Sequence, residues 1–189
     1  YAITDQATYS LADITTRALT VSGLSASNKI YDGNTAAAIT GTAVVTALSG
    51  DNVSISGSST GTFDTKHVDN AKAITISGNS LSGNDAANYT VGQQTGLTAD
   101  VTAKALNISG IAASDKVYDG TTDAGTIDMT AINLTGLVAG DTVAVATSGT
   151  FDTKNVGVNK TITLTSINSG ADVGNYTISG QATYSLANI

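Results

Sequence analysis

The sequence predicts an all-β protein made of two tandem β-sandwich-like, immunoglobulin-like modules in an elongated arrangement. Three observations carry that prediction. The chain repeats: residues 29–35 read Lys-Ile-Tyr-Asp-Gly-Asn-Thr and residues 116–122 read Lys-Val-Tyr-Asp-Gly-Thr-Thr, an offset of 118 − 31 = 87 residues. The composition favours strands and turns, with Thr, Val and Ile for the former and Gly, Asn and Asp for the latter, while the helix builders Glu, Gln, Met and Arg are absent or nearly so. Finally, apolar and polar residues alternate with period two in the segments between turn signals, as half-buried strands require. A β-grasp-like module with a single sheet is the alternative architecture.

Composition also bounds the function. The chain has no Cys, Pro or Trp, and all fifteen acids are Asp against eight basic residues, giving a net charge of −7. A nucleic-acid or anionic-membrane surface needs clustered Lys and Arg, which these scattered residues do not supply. Without Cys there are no disulfides and no thiolate metal sites. Nothing approaches the ~18–20 apolar residues of a spanning helix. The 41% apolar content argues against disorder.

In chain order, residues 1–14 (YAITDQATYSLADI) match residues 176–189 (YTISGQATYSLANI), with a looser copy at 89–101. The first fourteen residues therefore read as the terminal strand of a preceding repeat, followed by module 1 (15–101) and module 2 (102–189). The chain opens in mid-motif and is expected to be a piece of a longer protein. Each module begins with a strand, at 18–22 and 105–109. The links at 13–17 and 100–104 contain neither Gly nor Pro, which predicts a nearly continuous extended crossing and a semi-rigid rod.

The Tyr-Asp-Gly stretch follows. Gly33 and Gly120 can take positive φ, Asp32 and Asp119 can cap the turn, and Tyr31 and Tyr118 are expected to lay their rings on the core. Strands are expected at 43–46, 52–56, 127–133 and 142–147, in the region where the copies differ in length. Gly-Thr-Phe-Asp-Thr-Lys then recurs at 61–66 and 149–154, and Phe63 and Phe151, the only two Phe residues, read as core plugs. Cleanly alternating strands follow at 73–77 and 161–165. The last shared motif runs from Asp85 to Tyr89 and from Asp172 to Tyr176. It resembles the tyrosine corner of immunoglobulin-like sandwiches, where the Tyr hydroxyl bonds back to nearby backbone.

No catalytic constellation emerges, so no enzyme, no cofactor and no metal site are expected. His67 corresponds to Asn155 and reads as a solvated side chain without the partners that catalysis or metal binding would need. Asp115, Asp119, Asp123 and Asp128 lack the spacing of a calcium loop. Lys29 and Lys116 read as solvated lysines, and an isopeptide role would show as a loss of ammonia or water in intact mass.

The motifs Lys-x-Tyr-Asp-Gly-x-Thr, Thr-Phe-Asp-Thr-Lys-x-Val and Ser-Gly-x-Asp-x-x-Asn-Tyr-Thr, followed by a short strand before Ala-Leu-x-[Val/Ile]-Ser-Gly, resemble the YDG/MBG-type tandem repeats of large bacterial surface proteins. Many of these are filamentous-haemagglutinin-like or other giant adhesins. The resemblance implies a non-catalytic stalk or spacer, extracellular at the bacterial cell surface, in a protein of cell adhesion and biofilms. Its partners would be neighbouring repeats of a monomeric chain and, at a distance, a host or bacterial surface glycan or protein. An alternative function is glycan or surface-ligand binding through Tyr31, Asp32, Tyr118 and Asp119; exposed Tyr rings would favour it and buried rings would remove its basis.

Overall fold

The computed structural model describes residues 11–179 and 184–189. These residues are all-β apart from two single 3-10 turns, Ala86–Asn88 and Val173–Asn175. Of the terminal strand expected at residues 1–14, residues 1–10 lie outside the described part, and residues 11–14 carry no strand.

Module 1 has two faces. On one lie two separate strand pairs: β1 (Arg17–Thr20) runs parallel to β8 (Tyr89–Gly92), and β2 (Ser22–Ala26) pairs antiparallel with β5 (Ile39–Val44). The other is five-stranded in the order β3 (Lys29–Ile30), β9 (Thr98–Thr102), β7 (Asp69–Ser82), β6 (Ser54–Phe63), β4 (Ala36–Ala37). Leu19, Val21 and Leu24 of the first face are buried, as are Phe63, Ile74, Ile76, Ala99 and Val101 of the second. Val21 and Leu24 share one core cluster with those residues of the second face. Two packed faces make a sandwich and set aside the β-grasp alternative.

Module 2 repeats the plan. One sheet is β13 (Asn133–Thr135), β10 (Lys104–Ser109), β16 (Tyr176–Ser179), with β10 and β16 parallel as β1 and β8 are. The short pair β11 (Ala112–Ala113) and β12 (Ile127–Asp128) is a separate two-stranded ladder. The other sheet is β14 (Ala144–Phe151), β15 (Lys160–Ser169), β17 (Tyr184–Ala187).

Three local expectations are corrected. The first strand of module 1 is not one element at 18–22: it breaks at Val21, whose N–H bonds Gly92 O at 2.8 Å before the chain turns its pairing from β8 to β5. The strand expected at 127–133 is two pieces, because Asp128 Oδ1 accepts the Thr130 N–H at 2.8 Å and turns the chain between β12 and β13. The strand expected at 43–46 begins earlier, at Ile39, and stops at Val44.

The crossing between modules is short. β9 ends at Thr102 and β10 begins at Lys104, so Ala103 alone separates a strand of one module from a strand of the next. The packing also crosses the boundary. One continuous core cluster contains Val21, Tyr31, Phe63 and Val101 of module 1 together with Leu106 and Tyr176 of module 2, flanked by Leu137, Val138 and Ile178. A second cluster, around Phe151 and Ile162, fills the other end of module 2.

Candidate functional site: the junction between modules

The junction starts from the Tyr-Asp-Gly turn itself. Gly33 and Gly120 both have φ of 81°, the left-handed conformation that costs Gly nothing. Asp32 Oδ1 accepts the Asn34 N–H at 3.1 Å, and Asp119 Oδ1 accepts the Thr121 N–H at 2.9 Å.

Lys29 and Lys116 are not solvated, which corrects the expectation for them. Lys29 Nζ donates to Asp32 Oδ1 at 2.7 Å, Asn34 O at 2.8 Å and Ala36 O at 3.1 Å, and sits 5.6 Å from the centre of the Phe63 ring. Lys116 Nζ repeats this with Asp119 Oδ1 at 2.8 Å, Thr121 O at 3.0 Å and Asp123 O at 2.7 Å, over Phe151. Carbonyls turned inward by the tight turn need a donor, and the ammonium with three N–H groups supplies it. Asp119 is held down to about 2 by its hydrogen bond from Lys116, with the Thr121 N–H adding to it. For Asp32, burial pushes the carboxyl up, and the bonds from Lys29 and Asn34 outweigh it to leave the value lowered. Phe63 and Phe151 are both buried.

With the turn fixed in this way, Tyr31 projects out of module 1 and into module 2. Its ring is 1% exposed and meets Tyr176 edge-on, with centroids 5.6 Å apart and planes at 77°. The Tyr31 hydroxyl donates to Asp141 Oδ2 at 2.8 Å, and the Tyr176 hydroxyl donates to the same oxygen at 2.6 Å. Lys66 Nζ reaches across from module 1 to Asp141 Oδ1 at 2.8 Å and to Asp172 Oδ1 at 3.1 Å. The Asp141 side chain is 2% exposed, so this is a buried charge with three donors on its two oxygens.

The electrostatics follow from that arrangement. Burial alone would raise the Asp141 carboxyl, and the hydrogen bonds from Lys66, Tyr176 and Tyr31 outweigh it, so the value is lowered from 3.8. Lys66 is raised above 10.5, first by its bond to Asp141. Tyr176 is pushed up to about 12 by burial and by Asp141, and Tyr31 is raised by the same two causes.

Backbone contacts complete the joint. The Val138 N–H donates to the Tyr176 hydroxyl at 2.9 Å, and the Val68 N–H donates to Asn175 Oδ1 at 3.1 Å. His67 is exposed, yet its Nδ1 lies 3.3 Å from Asn175 Nδ2, so it touches the next module as well as solvent.

The tyrosine corners differ from the immunoglobulin arrangement that their sequence resembles. The Tyr89 hydroxyl accepts the N–H of Leu48, 41 residues upstream, at 3.2 Å and donates to Asp51 Oδ2 at 2.5 Å. Tyr176 does the same with Val138 and Asp141. Asp85 and Asp172 accept the N–H of Asn52 and Thr142 at 2.8 and 2.9 Å, tying the 3-10 turn to the loop that carries Asp51 or Asp141.

The second knuckle behaves otherwise. The Tyr118 ring is 51% exposed, against the expectation that it lies on the core: among the described residues no socket like that of Asp141 and Tyr176 receives it. Asp115, Asp119, Asp123 and Asp128 do not converge on one point: they bond Asn188, Lys116, the Gly125 N–H and the Thr130 N–H respectively. Among the described residues no group of three or more His, Cys, Asp or Glu could hold a metal ion.

The sequence profile of the YDG domain matches this chain twice, over residues 15–96 and 102–184. The chain belongs to the YDG domain family. No curated protein and no solved structure matches it. Each YDG domain thus contributes a Tyr-bearing knuckle at one end and an Asp–Tyr socket at the other, and the structure joins one knuckle to one socket. Sequence reasoning found Tyr31 and Tyr176 but missed Lys66, Asp141 and Val138. The available signal was recurrence: Lys66 and Lys154 close the same motif, and Asp51 and Asp141 precede the same strand in both copies.

Proposed function

We propose that these YDG domains are a non-catalytic spacer in the stalk of a secreted or surface-anchored bacterial adhesin, extracellular, holding a distal binding domain away from the cell. The observation that carries this reading is the junction. Tyr31 of one domain is buried against Tyr176 of the next, on a carboxylate that Lys66 also grips. A core that continues across the boundary resists bending in a way that a Gly-rich linker does not. The connector of one residue, Ala103, leaves little slack. Stiffness between repeats is the property a spacer needs, and the partners it calls for are neighbouring repeats of the same chain.

Ligand binding by the Tyr-Asp-Gly loops finds less support. Of the two rings that would have to be exposed, Tyr31 is buried and only Tyr118 is half exposed, and Asp32 and Asp119 are already committed to Lys29 and Lys116. Small-angle scattering tests the spacer reading. The expected curve is that of a single rigid two-domain particle, and a curve that requires an ensemble of freely reorienting domains would count against it.

A further inference from the structure

Among the described residues, the two halves of the buried junction recur in exposed form, one in each domain. At the far end of domain 2, Tyr118 is half exposed, and Val156 is 73% exposed. Their counterparts in domain 1 are Tyr31, which is buried, and Val68, which packs on the shared core. Lys154, the counterpart of Lys66, is exposed.

At the opposite end, a cavity of about 360 Å³ is lined by Arg17, Leu48, Asp51, Asn88 and Tyr89, among others. These residues correspond to Lys104, Val138, Asp141, Asn175 and Tyr176. Three of those five, Asp141, Asn175 and Tyr176, bond or stack with domain 1 across the filled junction. The Asp51–Tyr89 hydrogen bond and the Leu48 N–H bond are already formed, so the socket is preorganised. Leu48 is 51% exposed at its mouth.

We propose that this cavity is a socket for the Tyr-Asp-Gly knuckle of another YDG domain, and that a second copy of this chain fills it with Tyr118. The Tyr118 hydroxyl would donate to Asp51, as Tyr31 does to Asp141. Lys154 would pair with Asp51 and Asp85, as Lys66 does with Asp141 and Asp172. Such contacts are heterologous, knuckle of one copy to socket of the next, so they do not close on themselves and would add copies in line. The inference rests on the spacer reading, since it extends the same joint beyond the pair.

The test uses the chain itself. Sedimentation velocity up to about 1 mM should show association that grows with concentration, and the Leu48 amide resonance should shift with it. Tyr118→Ala, which lacks a knuckle, and Asp51→Ala, which lacks a socket, should each stay monomeric. Mixed in equal amounts they should form a dimer that grows no further, because the mixture holds one working knuckle and one working socket. Leu48→Asp and Val156→Asp, at exposed positions, repeat the test without touching the core. A wild-type chain that remains monomeric, variants that associate as the wild type does, or a mixture that does not pair would each overturn the proposal. Rigid scattering from a chain that never associates would overturn this inference and leave the spacer reading standing.

Discussion

The two Tyr-Asp-Gly knuckles share a backbone and differ in what surrounds the ring. Gly33 and Gly120 have the same φ, and Lys29 and Lys116 close the loops with the same set of bonds. Yet Tyr31 lies inside a junction and Tyr118 stands half in solvent. The local sequence therefore dictates the turn, and the neighbouring domain dictates the burial. The same holds for the sockets, where Asp141 receives three donors and Asp51 only the Tyr89 hydroxyl among the described residues.

The largest effect should come from the rings. Tyr31→Ala is expected to cost about 3–5 kcal/mol, as for a buried aromatic, and Tyr118→Ala less than about 0.5 kcal/mol. Urea unfolding of both variants measures the contrast, and equal losses would break it. Next comes the carboxylate. Asp141→Ala leaves two hydroxyls and Lys66 without their common acceptor, an expected loss of about 2–4 kcal/mol, whereas Asp51→Ala should cost about 1 kcal/mol because water can reach the Tyr89 hydroxyl.

A subtler contrast lies in the glycines. Gly33→Ala and Gly120→Ala both force a side chain into positive φ, at about 1–2 kcal/mol. A Cβ on Gly33 would also come within 2.7 Å of Val138 Cγ1 across the junction, while one on Gly120 would meet open space. Gly33→Ala should therefore be the worse by about 1 kcal/mol, by the same denaturation measurement.

The smallest effect is on pH. The lowered Asp141 value means that its contribution is present above 3.8 and is lost as pH falls through the folded value. The raised values of Lys66 and Tyr176 mean that theirs is present below 10.5 and 10.0 respectively and is lost as pH rises through the folded values. Hydrogen-exchange protection factors at the Val68 and Val138 amides, corrected for the intrinsic rate at each pH, should thus be highest between those limits and lower on either side. Protection that does not change from strong acid to strong base would contradict the assignment.

Much of this fold was legible because its signals are local or repeated. The 87-residue offset gave two modules, Gly after Asp marked the turns, and a Phe in the same place in each copy marked the plugs. Alternation in 73–77 marked part of β7, where Ile74 and Ile76 are buried. The junction was not legible because it depends on approach between residues far apart in the chain: Tyr31 and Asp141 are separated by 110 positions. Nothing in one copy distinguishes Tyr31 from Tyr118, so reading each copy alone sends both rings to their own core. Lys29 was misread for a related reason. Two of its four acceptors are backbone carbonyls, which the amino-acid letters do not display.

The central claim is that the Asp141 knot makes two YDG domains one body. Residual dipolar couplings measured separately for residues 17–102 and 104–179 test it most directly. A single alignment tensor should fit both domains in the wild type, and Tyr31→Ala should split it into two. Two tensors of different orientation and magnitude in the unmodified chain would contradict the account.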